Sequence, residues 1–332
     1  MNPYEIDTSI YSRDETRVKV RETAMKIYTH FKDRSSILVS ISGGSDSDCI
    51  LHFICKYFPE YLDKCHFVFI DTGLEYEATK RHLRELEAKY RICIEKIRGR
   101  PIPAVVKQYG VPILSKTKAE IIEKFCARVP WAAKRVLCGY NAGRTRIARG
   151  MLALTPEQTA LAWYCMENGV NISAKCCDES KKKPLKKYMR ENGIDLNVTG
   201  ERRAEGGQRA LTHKTCFKCG RRETDAAKYM PLWWWSDADK ADFIQAEGIK
   251  RSDCYEIWGF TRTGCCGCPF TLDIADNLRA IRTYEPKLYR ACMAVFGEAY
   301  RLTDKFHARS RRCLPDFEQQ TAAADAERGR RS

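Results

Sequence analysis

The stretch Ser36-Ile37-Leu38-Val39-Ser40-Ile41-Ser42-Gly43-Gly44-Ser45-Asp46-Ser47 runs an apolar strand into a glycine pair and then into a helix that continues through Cys49, Ile50, Leu51, Phe53 and Ile54. That order of elements reads as a phosphate cradle. Gly43 and Gly44 can take positive φ and let the backbone approach a ligand closely, while Ser45, Asp46 and Ser47 suit the first turn of a helix. Free N–H groups and the helix dipole there favour an anion by about 0.3–2 kcal/mol. The loop is not a Walker A motif, because no Gly-Lys-Ser/Thr follows at the required gap, and it is not the dinucleotide fingerprint. The competing reading is a glycine turn that only joins a strand to a helix.

Working outward, Ser12 followed by Glu15 predicts a capping box for a helix running to Phe31, with Val18, Met25, Ile27, Tyr28 and Phe31 facing inward. Strands are predicted over 37–41, 66–70 and 92–97, with a helix over 75–90. This alternation predicts an α/β fold with a doubly wound parallel sheet and right-handed crossovers. Ligands of such sheets sit beyond the carboxyl ends of the strands, where Gly43-Gly44 and Asp71-Thr72-Gly73 both fall. Asp71 is expected to bind a ribose or help hold magnesium, or else to cap the helix starting near Glu75. Pro101, Pro103, Pro112 and Pro130 break the next stretch into short pieces. The three arginines of Arg144–Arg149 read as a solvated face sooner than a phosphate grip. No internal repeat stands out, and the tail from Gln319 to Ser332 is polar.

Composition narrows the partners. The 332 residues carry a formal charge of +15, which favours nucleotides, sulfate-like groups or a nucleic-acid backbone over cationic ligands. Met1–Arg21 has no apolar leader, and no run reaches the roughly 18 apolar residues a membrane helix needs. A cytoplasmic, soluble protein without a membrane partner is the expectation. Seventeen cysteines without a secretory signal read as thiols or metal ligands, not as a disulfide framework.

The string Ser42-Gly43-Gly44-Ser45-Asp46-Ser47 matches Ser-Gly-Gly-x-Asp-Ser and resembles the PP-loop of the ATP pyrophosphatase superfamily. The resemblance implies an adenine nucleotide alpha-hydrolase-like fold, and splitting of ATP between its α- and β-phosphates with adenylylation of an acceptor. Further along, Cys176-Cys177, Lys183-Pro184-Leu185, Thr199-Gly200-Glu201-Arg202-Arg203 and Arg209 form a series similar to the phosphoadenylylsulfate (PAPS) and adenylylsulfate reductase family. Asp71-Thr72-Gly73 and Pro231 with Trp233–Ser236 belong to the same series, which spans about residues 35–270. Arg202, Arg203 and Arg209 offer planar forks for phosphate or sulfate oxygens after a strand predicted over 194–198. A plain basic surface cluster is the alternative.

The cysteine spacing is the second signal. Cys176-Cys177 is followed 88 residues later by Cys265-Cys266-Gly267-Cys268. A tandem Cys-Cys with a distant C-x-x-C resembles the four thiolate ligands of the 4Fe-4S cluster in the adenylylsulfate reductase branch. The resemblance implies Cys176, Cys177, Cys265 and Cys268 as ligands, with Cys266 a spare able to replace a neighbour. Soft thiolates suit iron–sulfur first and zinc second, with buried structural thiols the third reading. His213, Cys216, Cys219 and Cys254 form a second candidate set, for zinc. The three tryptophans Trp233–Trp235 are expected to include core residues, and Cys49 and Cys55 read as small hydrophobes on helices.

Two departures separate branches of the family. The reductases carry a nucleophilic cysteine in a C-terminal Glu-Cys-Gly motif, and here the tail offers only Cys313 in Arg311-Arg312-Cys313-Leu314-Pro315. Their PP-loop is degraded, whereas Asp46 and Ser47 stand intact. The combination resembles the thiolation enzymes, namely tRNA sulfurtransferases and the PP-loop subunit of DNA phosphorothioation systems. That likeness implies ATP with magnesium held by Ser42–Ser47, Asp71, Thr72, Gly73, Gly200 and Arg209, with Asp46, Arg202 and Arg203 catalytic. It also implies a nucleic-acid or nucleotide acceptor and a sulfur-donor protein such as a cysteine desulfurase. The alternatives are a sulfonucleotide reductase of sulfate assimilation using Cys313, and a non-catalytic nucleotide- and metal-bound module that binds nucleic acid. Three segments are expected: an N-terminal helical extension over 1–34, a PP-loop domain over 35–212, and a cysteine-rich, helical and irregular region with a metal site and a basic tail over 213–332.

Overall fold

A computed structural model describes residues 5–138, 153–206, 213–220 and 225–308. Helix α1 (Asp14–Phe31) precedes strand β1 (Ile37–Ser40), which leads into α2 (Ser45–Tyr57); β2 (Cys65–Asp71), α3 (Glu77–Tyr90) and β3 (Ile94–Arg98) follow. Next come α4 (Ile102–Tyr109), α5 (Lys116–Cys126), α6 (Pro130–Cys138), α7 (Pro156–Glu167) and α8 (Lys183–Glu191). The described chain continues with β4 (Leu196–Val198), β5 (Phe217–Lys218), β6 (Ala227–Tyr229), α9 (Asp237–Ala246), α10 (Asp253–Glu256), α11 (Ile274–Tyr284) and α12 (Pro286–Lys305).

The six described strands form one sheet in the order β3-β2-β1-β4-β6-β5. β1 pairs in parallel with β2 and β4, β2 with β3, and β4 with β6; the edge strand β5 alone runs antiparallel. The fold is therefore α/β and mostly parallel, as the alternation predicts. β2 and β3 extend the sheet to one side of β1 and β4 to the other, so the loop after β1 stands at the topological switch point.

The chain divides into two compact units, Met1–Gly99 with Ser180–Gly264, and Arg100–Glu179 with Cys265–Ser332. These units cut across the segments expected from sequence. Residues 213–264 join the sheet unit because β5 and β6 extend its edge, and 1–34 join it because α1 shares its core.

In the sheet unit, α1 turns Val20, Ala24, Ile27 and Phe31 inward at intervals of three and four residues. Val18 and Tyr28, expected inside, are 51 % and 39 % exposed because they lie off that stripe. The predicted capping box is also replaced. Ser12 Oγ (2.7 Å), Ser12 N–H (3.0 Å) and Arg13 N–H (3.0 Å) all donate to the Asp242 carboxylate of α9, which does the capping from outside the helix. Burial alone would raise the Asp242 pKa, but these hydrogen bonds lower it below its ordinary value.

A second buried carboxylate, Glu247, accepts from Tyr11 and Tyr57 hydroxyls at Oε1 (2.5 Å each) and from Lys56 at Oε2 (2.5 Å), with His52 Nε2 2.9 Å from Oε2. The N-terminal segment, α2 and the end of α9 are thereby tied at one point. In the helical unit, α5 packs on α6 and α7, and α11 packs on α12. No described helix is long and apolar enough to cross a membrane.

Candidate functional site

The loop after β1 is closed by its own serines. Ser42 N–H donates to Ser47 Oγ (3.2 Å), Ser47 Oγ donates to the Gly44 carbonyl (2.7 Å), and Gly44 N–H donates to Ser42 Oγ (3.3 Å). Gly43 has φ +65°, and a Cβ there would lie 2.7 Å from Thr79 Cγ2 on α3. Gly44 does not use that freedom: its φ is −95°, and it serves as the extended N-cap of α2. Its value is space, since an added Cβ would stand 3.2 Å from the Tyr255 hydroxyl and 3.4 Å from Thr263 Oγ1. The Tyr255 hydroxyl accepts from the backbone of Ser45 and lies 2.9 Å from Thr263 Oγ1.

Gly200, just after β4, completes the cradle. A Cβ at this position would stand 3.0 Å from the Ser47 nitrogen, so glycine lets the β4 loop lie against the first turn of α2. Two residues on, Arg202 is 3 % exposed. Its Nε donates to Asp46 Oδ1, its NH2 to Asp237 Oδ1 (2.8 Å) and its NH1 to the Trp235 carbonyl (3.4 Å). The fork expected to grip an anion is thus committed to two carboxylates, because burial of a guanidinium demands counter-charge. Burial alone would lower its pKa, and the two carboxylates reverse this. Arg203 is exposed and stacks over the Trp234 ring at 5.5 Å, while Arg209 lies outside the described residues. Trp233 and Trp235 are core residues and Trp234 is 40 % exposed.

At the end of β2, Asp71 Oδ1 accepts from Gly73 N–H (3.0 Å) and Oδ2 from Arg98 Nε (3.1 Å). Asp71 therefore builds its own turn and does not cap α3, which starts at Glu77 without a side-chain cap. Gly73 has φ +82°, as a turn of this kind requires. The Thr72 hydroxyl donates to Glu75 Oε1 (2.6 Å), and burial raises the Glu75 carboxyl above its usual range. Behind the loop, Asp48 Oδ2 and His82 Nε2 meet at 2.8 Å, both buried, joining α2 to α3.

Sequence reasoning missed Lys240, Asp237, Tyr255, Glu75 and His82 at this site. Lys240 had a usable signal, since Ser236 and Asp239 form a capping box that fixes where α9 begins. The others are brought in by tertiary contacts that no local pattern announces.

In the helical unit, Cys176 shares a hydrogen bond with Cys177. That bond, followed by burial and the nearby thiols of Cys177, Cys268 and Cys265, pushes the Cys176 thiol up. All four predicted ligands therefore lie in one neighbourhood of one unit. Cys268 N–H donates to the Cys265 carbonyl (3.2 Å), closing the C-x-x-C turn. Cys266, expected as a spare ligand, faces α12. It is fully buried, with Sγ 3.4 Å from Cys292 Sγ on α12. Gly267, at φ +62°, leaves no room for a Cβ against Cys292 and Tyr300. The donor chemistry of the four thiols suits a soft metal or an iron–sulfur cluster. Among the described residues, however, no three His, Cys, Asp or Glu side chains stand in closed metal-holding geometry. A cavity of about 670 Å³ in this unit, lined by Ser115, Lys118, Thr155 and His307 among others, includes none of these cysteines.

The second candidate set is not assembled. His213 faces Glu201 (3.8 Å) and the Trp233 ring, Cys216 packs against the core beside β5, and Cys219 is exposed. Cys254 is buried with its sulfur 3.9 Å from Thr79 Oγ1. The C-x-x-C spans the edge strand β5, while Cys254 belongs to α10, so the spacing does not translate into convergence.

A serine-closed glycine loop at the switch point of a parallel sheet defines a PP-loop type of α/β protein. The family model of the phosphoadenosine phosphosulfate reductase domain matches residues 36–112 and 151–271, and the chain belongs to that family. It is similar to an uncharacterized protein of Methanocaldococcus jannaschii, 26 % identical over 275 residues, covering 81 % of this chain and 43 % of that one. It is also similar to the adenosine 5′-phosphosulfate reductase of Neisseria meningitidis serogroup B, 28 % identical over 119 residues, covering 36 % of this chain and 46 % of the enzyme. The chain spans about half the length of the curated relatives it matches. Among solved structures, the phosphoadenylyl-sulfate reductase of Candida auris aligns with a TM-score of 0.42 at 14 % identity, over 73 % of this chain and 86 % of that one. The U34-tRNA thiolase of Methanococcus maripaludis, solved with its 4Fe-4S cluster, aligns with a TM-score of 0.37 at 11 % identity, over 86 % and 80 % of the two chains.

Proposed function

We propose that the protein is an ATP-using PP-loop enzyme of sulfur chemistry. It binds ATP with magnesium, adenylylates an acceptor with release of pyrophosphate, and supports sulfur transfer to a nucleic acid or nucleotide. The observation that carries this reading is the serine-closed loop Ser42–Ser47 at the N-terminus of α2, where Gly43 and Gly200 let neighbouring backbone and side chains approach as no other residue would. Asp46 and Asp71 are the carboxylates available to magnesium, and Thr72, Gly73 and Gly200 line the crevice. Arg202 holds Asp46 in place, while Arg203, which is exposed, serves the incoming substrate together with Arg209. The two-carboxylate fixation of Arg202 supports a positioning role for it over direct phosphate contact.

Cys176, Cys177, Cys265 and Cys268 are the residues that would hold a 4Fe-4S cluster. Such a cluster, when bound, supplies soft iron for sulfide or electron transfer. A sulfur-donor protein such as a cysteine desulfurase completes the proposal. The family match favours one second reading, reduction of adenylylsulfate or its 3′-phosphorylated form with Cys313 as the thiol.

The test compares affinities of anaerobically purified protein for ATP with magnesium, adenylylsulfate and 3′-phosphoadenylylsulfate. Tighter binding of ATP, with pyrophosphate released when an acceptor is supplied, supports adenylylation. Tighter binding of either sulfonucleotide overturns it in favour of reduction.

A further inference from the structure

Lys240 reaches the cradle from α9, a helix whose position is set independently of the loop. Ser236 Oγ accepts from Asp239 N–H (3.1 Å), and the Asp239 carboxylate accepts from Ser236 N–H (2.9 Å), which fixes the first turn. Trp235, buried, donates its indole N–H to Thr23 Oγ1 (3.0 Å), and Phe243 is fully buried. Lys240, one turn past the cap, then has a side chain only 14 % exposed. Its Nζ donates to Ser45 Oγ (3.0 Å) and stands 3.4 Å from Asp46 Oδ1.

An ammonium at the N-terminus of α2 is placed where the helix dipole repels it, unless an anion belongs there. Asp46 is shared, since the same Oδ1 accepts from the Nε of buried Arg202. Asp237, the second carboxylate of Arg202, has a side chain 81 % exposed and screens little. Two cations therefore face one enclosed carboxylate in the first turn of α2. Arg202 is held by two carboxylates and a carbonyl, whereas Lys240 is held by a hydroxyl and one longer ionic contact. Lys240 is the more easily transferred of the two.

We infer that Lys240 is the phosphate-binding lysine of this loop, taking the β- and γ-phosphates of ATP and leaving Ser45 and Asp46 when nucleotide and magnesium arrive. The inference rests on the ATP reading. In the reaction, the acceptor oxygen bonds to the α-phosphorus as the bond from that phosphorus to the bridging oxygen breaks. Pyrophosphate leaves with the electron pair and the acceptor proton goes to solvent. Lys240 balances the charge that grows on pyrophosphate.

Calorimetric titration of the full chain and of Lys240→Met and Lys240→Arg tests this, with Mg-ATP, inorganic pyrophosphate and AMP as probes. Loss of a charged hydrogen-bond donor should weaken ATP and pyrophosphate by roughly ten- to a hundredfold in K240M, with AMP changed less than about threefold. K240R should retain most of the pyrophosphate affinity. Equal losses for AMP and pyrophosphate, or an unchanged pyrophosphate affinity, would overturn the assignment. If K240M does not fold, Lys240→Gln, which keeps a donor toward Ser45 without the charge, takes its place under the same criteria. Failure of the wild-type chain to bind ATP while a sulfonucleotide binds overturns the ATP reading and this inference together. ATP binding that is indifferent to Lys240 overturns the inference alone.

Discussion

Replacing Arg202 by methionine removes the cation that Asp46 faces and keeps most of the side-chain volume. Three contacts are lost: a charged bond to Asp46, a second to Asp237 and a long one to the Trp235 carbonyl. The Asp237 contact sits at the surface and contributes about 0–1 kcal/mol. The Asp46 contact is enclosed, with side-chain exposures of 3 % and 19 %, and a charged hydrogen bond of this kind contributes about 1.5–3 kcal/mol. Lys240, 3.4 Å away, still neutralises part of the carboxylate, so the total for R202M should be about 3 kcal/mol, toward the lower end of breaking a buried pair. The double variant R202M/D46N then separates partnership from packing. If Asp46 is the main partner, removing both charges should cost less than the two single changes combined, with a coupling of about 1.5–3 kcal/mol. Urea denaturation of the four proteins at pH 7 gives the cycle. A coupling below about 0.5 kcal/mol would refute the claim that Arg202 is there to hold Asp46, and would return it to the role of a free phosphate ligand.

Two other consequences follow from buried groups. Glu247 is held below its ordinary carboxylate range: burial would raise it, but hydrogen bonds from His52, Lys56, Tyr11 and Tyr57 lower it further than burial raises it. A depressed folded pKa gives stability that is present above the unfolded value of about 4.3 and fades as pH falls toward the folded value. Thermal midpoints of the wild type should therefore drop on acidification below about pH 5 more steeply than those of Glu247→Gln, measured by calorimetry; parallel curves would refute this. For the cysteines, C176S and C268S should lose the visible absorbance and iron content of anaerobically reconstituted protein. C266A should keep both, because Cys266 points at Cys292, and equal losses in all three would show that Cys266 is a ligand.

The sheet and its loop were readable because their signals are local. An apolar run, two glycines and a helix start occupy Ile37–Tyr57 without help from elsewhere. The end of β2 carries its own turn in Asp71 and Gly73. What was not readable depends on partners distant in sequence. Ser12 looks like a cap, yet Asp242, 230 residues on, supplies the cap. β5 is two residues long, too short for a periodic pattern, so its place at the sheet edge was hidden inside a C-x-x-C. Cys176, Cys177, Cys265 and Cys268 fall in one unit, but their spacing carries no direction. Gly267 and α12 decide that Cys266 turns inward. Arg202 reads from sequence as a free anion fork, because a sequence shows a guanidinium without showing the two carboxylates that hold it.

The two readings of the reaction differ in one atom they require. Reduction of a sulfonucleotide needs a thiolate to attack its sulfur, and the tail offers Cys313 as the candidate. Adenylylation needs no such nucleophile, because an acceptor oxygen attacks phosphorus and the chain supplies charge and alignment. Cys313→Ser should then leave ATP–pyrophosphate exchange with a nucleic-acid acceptor within about twofold of wild type, while Asp46→Ala should lower it by about a hundredfold or more, the scale for losing one electrostatic group at a reacting phosphate. Under reduction the pattern inverts: C313S abolishes sulfite release from adenylylsulfate with a thiol reductant, and D46A has a weaker effect. Nucleotide binding by the wild type with neither exchange nor sulfite release would point instead to a regulatory nucleotide in a binding module. The two substitutions together therefore assign the chemistry, because each reading makes a different one of them fatal.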